Sequence, residues 1–323
     1  MNVKRKKVVL PKETKFDSVI FGIISKQYYE DYLDNVEERI GGPLIYANSA
    51  CASNNSYVAL VTKFSDEDSF MLDYLNGKNS KIFHYSDTNS HCLTIKLKKI
   101  NQTQEKAFVY YDLRTTTFNE TNLPNVSAYN YVFLEGAIGD YDINLIKKCS
   151  ELGDVALDGS AFINKVDNTT GLLTYTADNT IKEIIPYCHY IKFTSEESEL
   201  LTGKTNVKEA CEIIKSWGAQ EIIITKRDIV CVLDKNGNYI EERIVEKPNL
   251  NYAFLDTTVF VSYVNQRITS DPIYSLYCAC AIGTLKLKRP GPLLCNRADI
   301  DHCLKFYYYF KPVETIEPVE DDI

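Results

Sequence analysis

The chain has 323 residues, 45% apolar and 25% charged, with a net charge of −8. That composition belongs to an ordinary globular protein able to bury a full core, and its acidic balance excludes a nucleic-acid binder working through a basic surface. No apolar run approaches the ~18 residues of a membrane span and no signal-peptide core opens the chain, so a cytoplasmic protein without a membrane partner is expected.

Residues 1–15 carry the one basic cluster, Lys4-Arg-Lys-Lys7, and read as a solvated extension. From Phe16 short apolar strands alternate with helices, which predicts a largely parallel sheet covered on both faces. Strands are predicted at 18–21, 57–62, 131–134, 155–157 and 221–225. Helices are predicted at 46–53, 66–75, 142–152, 207–217 and 259–267, with Gly153 and Gly218 placed as C-caps after two of them. Residues 81–112 break the rhythm. Two stretches within them alternate apolar and polar residues, the pattern of a half-exposed antiparallel hairpin. The tail at 312–323 is acidic, carries two prolines and is expected to be disordered.

The ten cysteines include no C-x-x-C, and the four histidines form no pair at ligand spacing, so buried reduced thiols are expected in place of a zinc site. The 23 tyrosines fit half-buried surface positions better than a stacking pocket.

Several motifs then fall in a fixed order. Gly41-Gly-Pro-Leu-Ile-Tyr-Ala47 is similar to a G-G-x-x-x-x-A element, and Val61-Thr-Lys-Phe-Ser-Asp-Glu-Asp68 to a V-T-K-x-G-x-D strand and turn. Val155-Ala-Leu-Asp158 looks like a strand ending in aspartate, and Phe193 to Gly203 is similar to N-x-x-E…L-T-G. Residues 250–264 are similar to a T-x-G-x-G-D-T turn and its helix, and residues 278–293 end in an R-P-G-P turn. Together they resemble the ribokinase (PfkB) family of sugar and nucleoside kinases from Phe16 to about Leu293. The resemblance implies an α/β fold with a mostly parallel central sheet flanked by helices and a small β-lid, in one domain at 16–311. The lid would fall at 81–112. It also implies transfer of phosphoryl from ATP, with Mg²⁺, to a sugar or nucleoside hydroxyl.

On that resemblance the catalytic base would be Asp256, or the position of Thr257, depending on register. Thr194, Glu197, Thr225 and Lys226 would meet the nucleotide, with Glu197 organising the metal. Gln27, Gly41, Gly42 and Asp158 would meet the substrate. The same positions depart from the pattern. Phe254, Leu255 and Asp256 stand where G-x-G belongs, and only residues without Cβ let successive N–H groups close on a phosphate at a helix N-terminus. Gln27 replaces the sugar-gripping aspartate, Thr194 replaces the asparagine, and Ile224-Thr-Lys-Arg-Asp228 lacks the nucleotide-loop glycines. The expectation is therefore a pseudokinase or ligand-binding protein whose phosphoryl transfer is lost or strongly weakened. Its rivals are an active kinase using Asp256, and a structural subunit forming homodimers through the β-lid.

Overall fold

Which residues of each strand point to which face follows from period-2 alternation, and here it sorts the core into two layers. Described in this computed structural model are residues 15–308, save 32, 76, 78, 89–91, 100–104, 111–116, 126–128, 137, 168, 246–252 and 290. The basic extension (all but its last residue), the acidic tail and residues 250–252 of the turn motif lie outside them.

In chain order, β1 (Ser18–Gly22), β2 (Ser25–Glu30) and β3 (Val36–Gly41) lead to helix α1 (Pro43–Ser53). Gly42 precedes α1 at φ +106, a conformation reserved for glycine, and a Cβ there would lie 2.8 Å from the Ile23 carbonyl. Pro43 then presets the first turn. After β4 (Val58–Phe64) comes a 3-10 helix at Asp66–Leu75, then β5 (Ser80–Ser86), β6 (Leu93–Lys99), β7 (Glu105–Tyr110) and β8 (Tyr131–Glu135). Next are α2 (Ile143–Leu152), β9 (Asp154–Asp158), the short α3 (Ser160–Ile163), β10 (Asn164–Val166), β11 (Leu173–Tyr175) and α4 (Thr180–Ile184). The last part runs β12 (Tyr190–Thr194), α5 (Ser195–Thr202), α6 (Val207–Ser216), β13 (Glu221–Lys226), β14 (Ile229–Leu233) and β15 (Tyr239–Arg243). Helices α7 (Leu255–Gln266), α8 (Pro272–Lys286) and α9 (Arg297–Tyr307) follow.

The main sheet has the order β15-β14-β13-β12-β9-β8-β1-β4-β5. Every pairing from β13 to β5 is parallel, and β14 and β15 close one edge antiparallel. Val19 and Phe21 of β1 join Ala59 and Val61 of β4 beneath α2, α4 and α6. Ile20, Val58 and Leu60 turn the other way, against α1, α7 and α8. Two buried layers of this kind make a mixed α/β fold with a large sheet between helices, as the sequence implied. A second sheet, β3-β2-β6-β7, stands beside the first, with β2 and β6 parallel and its other pairs antiparallel.

Some expectations need correction. Of the segment 81–112, only β6 and β7 form an antiparallel hairpin; residues 81–86 belong to β5, the parallel edge strand of the main sheet. β5 is half-exposed along most of its length and lacks the continuous apolar run of the buried strands. The second sheet also uses β2 and β3, which the sequence analysis left irregular. Gly153 follows α2 at φ −172, which is extended backbone open to any residue, whereas Gly218 has the positive φ of +116. Helix α7 starts at Leu255, four residues before the predicted 259.

Candidate functional site

Parallel strands in register end at one level, so side chains at matching positions form a row along the C-terminal edge of the sheet. Leu134 of β8 pairs with Leu157 of β9, which sets Glu135 beside Asp158. Asp158 in turn pairs with Lys192 of β12. All three belong to the face opposite Leu157, Ile191 and Phe193, toward α7, and all three are buried, at 0%, 3% and 0% exposure. Helix α7 brings Asp256 to the same place.

Lys192 is the hub. Its Nζ donates to both Asp158 carboxylate oxygens at 3.1 and 3.2 Å and to Ser160 Oγ at 3.3 Å, and it pairs with Asp256. Burial works against the ammonium charge, but Asp158, Asp256 and Glu197 outweigh it and hold the lysine well above its usual range. Burial also drives the Asp158 carboxyl upward, with Lys192 opposing. At Asp256 burial is overcome by the Lys192 charge, the Lys192 hydrogen bond and the backbone N–H groups of Thr257 and Asp256, which hold the carboxyl below its usual range. Glu135 has the harshest setting. Its carboxyl is pushed well up by burial and by the Asp158 charge, and neither oxygen has a hydrogen-bond partner.

The turn into α7 explains how Asp256 comes to sit there. Phe254 holds φ +55, a strained value for a residue with a Cβ, and its ring stacks on Tyr46 of α1 at 4.7 Å and 23°. Leu255 is buried. The first free N–H groups of α7 are those of its opening turn. The Asp256 carboxylate belongs to this turn, where the N–H groups of Thr257 and Asp256 help to hold its pKa down, and Thr258 N–H donates to the Phe254 carbonyl at 3.1 Å. A pocket of about 140 Å³ opens beside this turn, lined by Thr194, Glu196, Thr225, Arg227, Leu255 and Asp256 among others.

Asp256, Thr194 and Thr225 thus meet at one pocket, with Asp158 behind Lys192. Thr257, next to Asp256 on α7, is buried at 3% exposure. Lys226 is exposed and off the pocket; its neighbour Arg227, at φ +50, lines it instead. Gln27 lies apart in the second sheet, its amide donating to Ser25 Oγ at 3.0 Å and accepting from Tyr29 at 3.0 Å. Gly41 gives it room, since a Cβ there would lie 2.4 Å from Gln27 Oε1. Lys192 and Glu135 were missed. The available signal was a charged residue inside or ending an otherwise apolar strand, which a sheet covered on both faces tolerates only with a partner or a task.

Glu197 does not fit a magnesium ligand. One oxygen accepts Thr194 N–H at 2.8 Å, in a reciprocal cap with the Thr194 hydroxyl on Glu197 N–H at 3.2 Å, and the side chain is buried. Among the described residues no group of three or more His, Cys, Asp or Glu side chains is placed to hold a metal.

The architecture is that of the ribokinase-like kinases. A pyrophosphate-dependent kinase in the ribokinase family, complexed with a pyrophosphate analogue and myo-inositol, superposes with a TM-score of 0.78 at 20% identity, over 88% of this chain and 99% of that one. Ribokinase from Arabidopsis thaliana, complexed with ribose and ATP, gives 0.69 at 11% identity, over 91% and 100%. A putative ribokinase II from E. coli, in complex with ATP and Mg²⁺, gives 0.69 at 9%, over 90% and 99%. No protein-family model and no curated protein matches the sequence.

Proposed function

We propose that this carbohydrate-kinase-like protein binds a small polyhydroxylated ligand and that its phosphoryl transfer is lost or strongly weakened. The observation that carries this reading is the position of the Asp256 carboxylate. It stands in the first turn of α7, at the helix end that a transferring phosphoryl would need, and Lys192 holds it there. A donor N–H aimed at developing charge contributes on the order of 10²–10³ in rate, so obstruction of that end leaves turnover near background. The Lys192 charge holds the Asp256 carboxyl below its usual range, and a carboxylate held by an ammonium is a weak base toward a hydroxyl. The test is turnover of the full chain on ribose, nucleosides and myo-inositol, with ATP or pyrophosphate as donor and Mg²⁺ present. A rate in the usual kinase range of ~1–100 s⁻¹ overturns the reading.

One observation favours a second reading, an active phosphotransferase with Asp256 as base. Asp256 keeps 34% of its side chain exposed and faces the pocket together with Thr194, Thr225 and Arg227. At about 140 Å³ that pocket is small for a nucleoside triphosphate, since small-molecule sites run to ~300–1,000 Å³, and suits pyrophosphate better. Pyrophosphate is also the donor of the kinase superposing at 0.78. ATP with Mg²⁺ remains the donor the resemblance implies. The second sheet, with β3 and β7 at its edges, would serve as lid and as homodimer contact. A cytoplasmic location fits, and no helix among the described residues is long and apolar enough to cross a membrane.

A further inference from the structure

A lysine in the middle of a buried strand must find all its partners within the protein, and Lys192 finds them on three other elements. Its ammonium has three N–H groups to place. The acceptors are the Asp158 carboxylate at 3.1 and 3.2 Å, Ser160 Oγ at 3.3 Å and the Asp256 carboxylate. Asp158 ends β9, Ser160 opens α3 and Asp256 lies in the first turn of α7, so one cation ties these elements to β12. The Asp158-Gly-Ser160 turn allows this close approach. A Cβ on Gly159 would come 2.1 Å from the Phe193 ring, and the Gly159 N–H donates to the Lys192 carbonyl at 2.9 Å. Ser160 N–H closes the turn on Asp158 Oδ1 at 3.0 Å.

The cage is shut on the lysine side. Lys192 has no exposed side-chain surface and Asp158 keeps 5%, whereas Asp256 keeps 34% and alone of the three acceptors lines the pocket. An ion entering by the pocket therefore meets one carboxylate edge whose partner cation is already in place. Spacing decides which cation suits the cage. Magnesium demands octahedral oxygen ligands at ~2.0–2.1 Å, and calcium takes six to eight at ~2.3–2.6 Å. Two carboxylates and one hydroxyl fall short of either set, and Asp158 and Ser160 stand at the longer N–H···O distances of an ammonium. Glu197, the residue that the kinase resemblance would put on a metal, is engaged in the α5 cap.

We propose that the Lys192 ammonium is the resident cation of this site, standing in for the exchangeable metal ion that the resemblance implies, so that the site is assembled without a metal and takes none up. Lys192 holds this role whether phosphoryl transfer is lost or kept.

Two measurements on the full chain test it. Calorimetric titration of wild type with Mn²⁺, with no nucleotide or pyrophosphate present, should show no Asp158-dependent site tighter than about 1 mM, the weak end of protein cation sites. A tighter site that Asp158→Asn abolishes overturns the proposal. Lys192→Ala, in turn, removes the cation and leaves its cage open to one from solution. A cation that binds only the folded state multiplies the folding equilibrium constant by 1 + [L]/Kd, about tenfold for a Kd of ~10 mM at ~100 mM cation. Methylammonium, which replaces the missing end of the side chain, should stabilise Lys192→Ala by about that factor in urea titration. Tetramethylammonium at the same ionic strength has no N–H to offer and should not. Wild type and Lys192→Met, whose cages are filled, should respond alike to the two salts. A Lys192→Ala variant that gains no more from methylammonium than wild type does overturns the proposal. Where the alanine variant does not fold, the wild-type titration still decides.

Discussion

Lys192→Met should destabilise the protein by an amount that depends steeply on pH. The lysine side chain is 0% exposed and its partner Asp158 5%, so the variant strands a carboxylate where water cannot reach it. Breaking a buried pair by removing one member costs about 3–5 kcal/mol. Asp158 has one escape, which is to take a proton. Protonating a carboxyl of unfolded-state pKa ~3.9 costs about 1.4 kcal/mol for each pH unit above that value. The escape therefore caps the Asp158 penalty at roughly 4 kcal/mol at pH 7 and roughly 1.5 kcal/mol at pH 5. The sign follows from linkage. In the variant the folded Asp158 pKa lies above the unfolded one, so the folded state binds more protons and stability falls as pH rises through that window. Asp256 adds little to the penalty, since it reaches solvent in the pocket. Urea denaturation of wild type and variant at pH 5 and pH 7 measures the difference directly. A cost below about 1 kcal/mol at pH 7, or the same cost at both pH values, would refute the assignment of Lys192 as the counter-ion of a buried carboxylate.

Glu221 accepts from the Tyr263 hydroxyl at 2.8 Å and from Arg267 at 3.0 and 3.2 Å, so Glu221→Ala should cost about 3–5 kcal/mol in denaturant titration by stranding a half-buried guanidinium. Lys286, lowered to about 8 by burial and by Arg39, is charged in both states below that pH and neutral only in the folded state between about 8 and its usual 10.5. Wild-type stability relative to Lys286→Met should therefore rise with pH across that window, by up to roughly 3 kcal/mol; a flat difference there would show that the amine is not desolvated. Phe254→Gly with Asp256→Gly removes both obstructions at the start of α7 and should raise pyrophosphate or ATP affinity by at least about tenfold in calorimetry. Unchanged affinity in the folded double variant would mean that the Phe254 and Asp256 side chains were never the obstacle.

How legible each part was in the sequence depended on burial. Strands such as β1, β8 and β13 are apolar through their middles because both faces are covered, and their existence could be read directly. Strands β2 and β3, Ser25-Lys-Gln-Tyr-Tyr-Glu30 and Val36-Glu-Glu-Arg-Ile-Gly41, are polar because their contacts come from a second small sheet, and no periodicity marked them. Strand β12 was hidden by Lys192 itself, since a lysine interrupts the apolar run that would have identified it. At the site, Asp158, Thr194, Thr225 and Asp256 were found through motif position. Lys192 and Glu135 could not be, because their meaning lies in register across β8, β9 and β12. The assignment of Thr194 and Glu197 to a nucleotide and its metal ran into a local use for both residues, since Thr-x-x-Glu is also a helix cap.

Register also ties together departures from the motif that look separate in the sequence. Phe254 and Leu255 fill the turn, one ring against Tyr46 and one side chain in the core, and on the proposed reading they deny an incoming phosphate its approach. That change alone would leave the opening N–H groups of α7 facing a site with no anion, an unfavourable state for a partly desolvated helix end. A carboxylate at Asp256 answers them from within the chain, since a negative group at a helix N-terminus is stabilising. The added negative charge beside Asp158 then requires a cation, and Lys192, in register with Asp158, supplies it. On the proposed reading the bulky turn, Asp256 and Lys192 are three parts of one arrangement in which the protein provides its own substitute for a bound phosphate. Restoring a glycine alone should not open the site while the Asp256 carboxylate still occupies it.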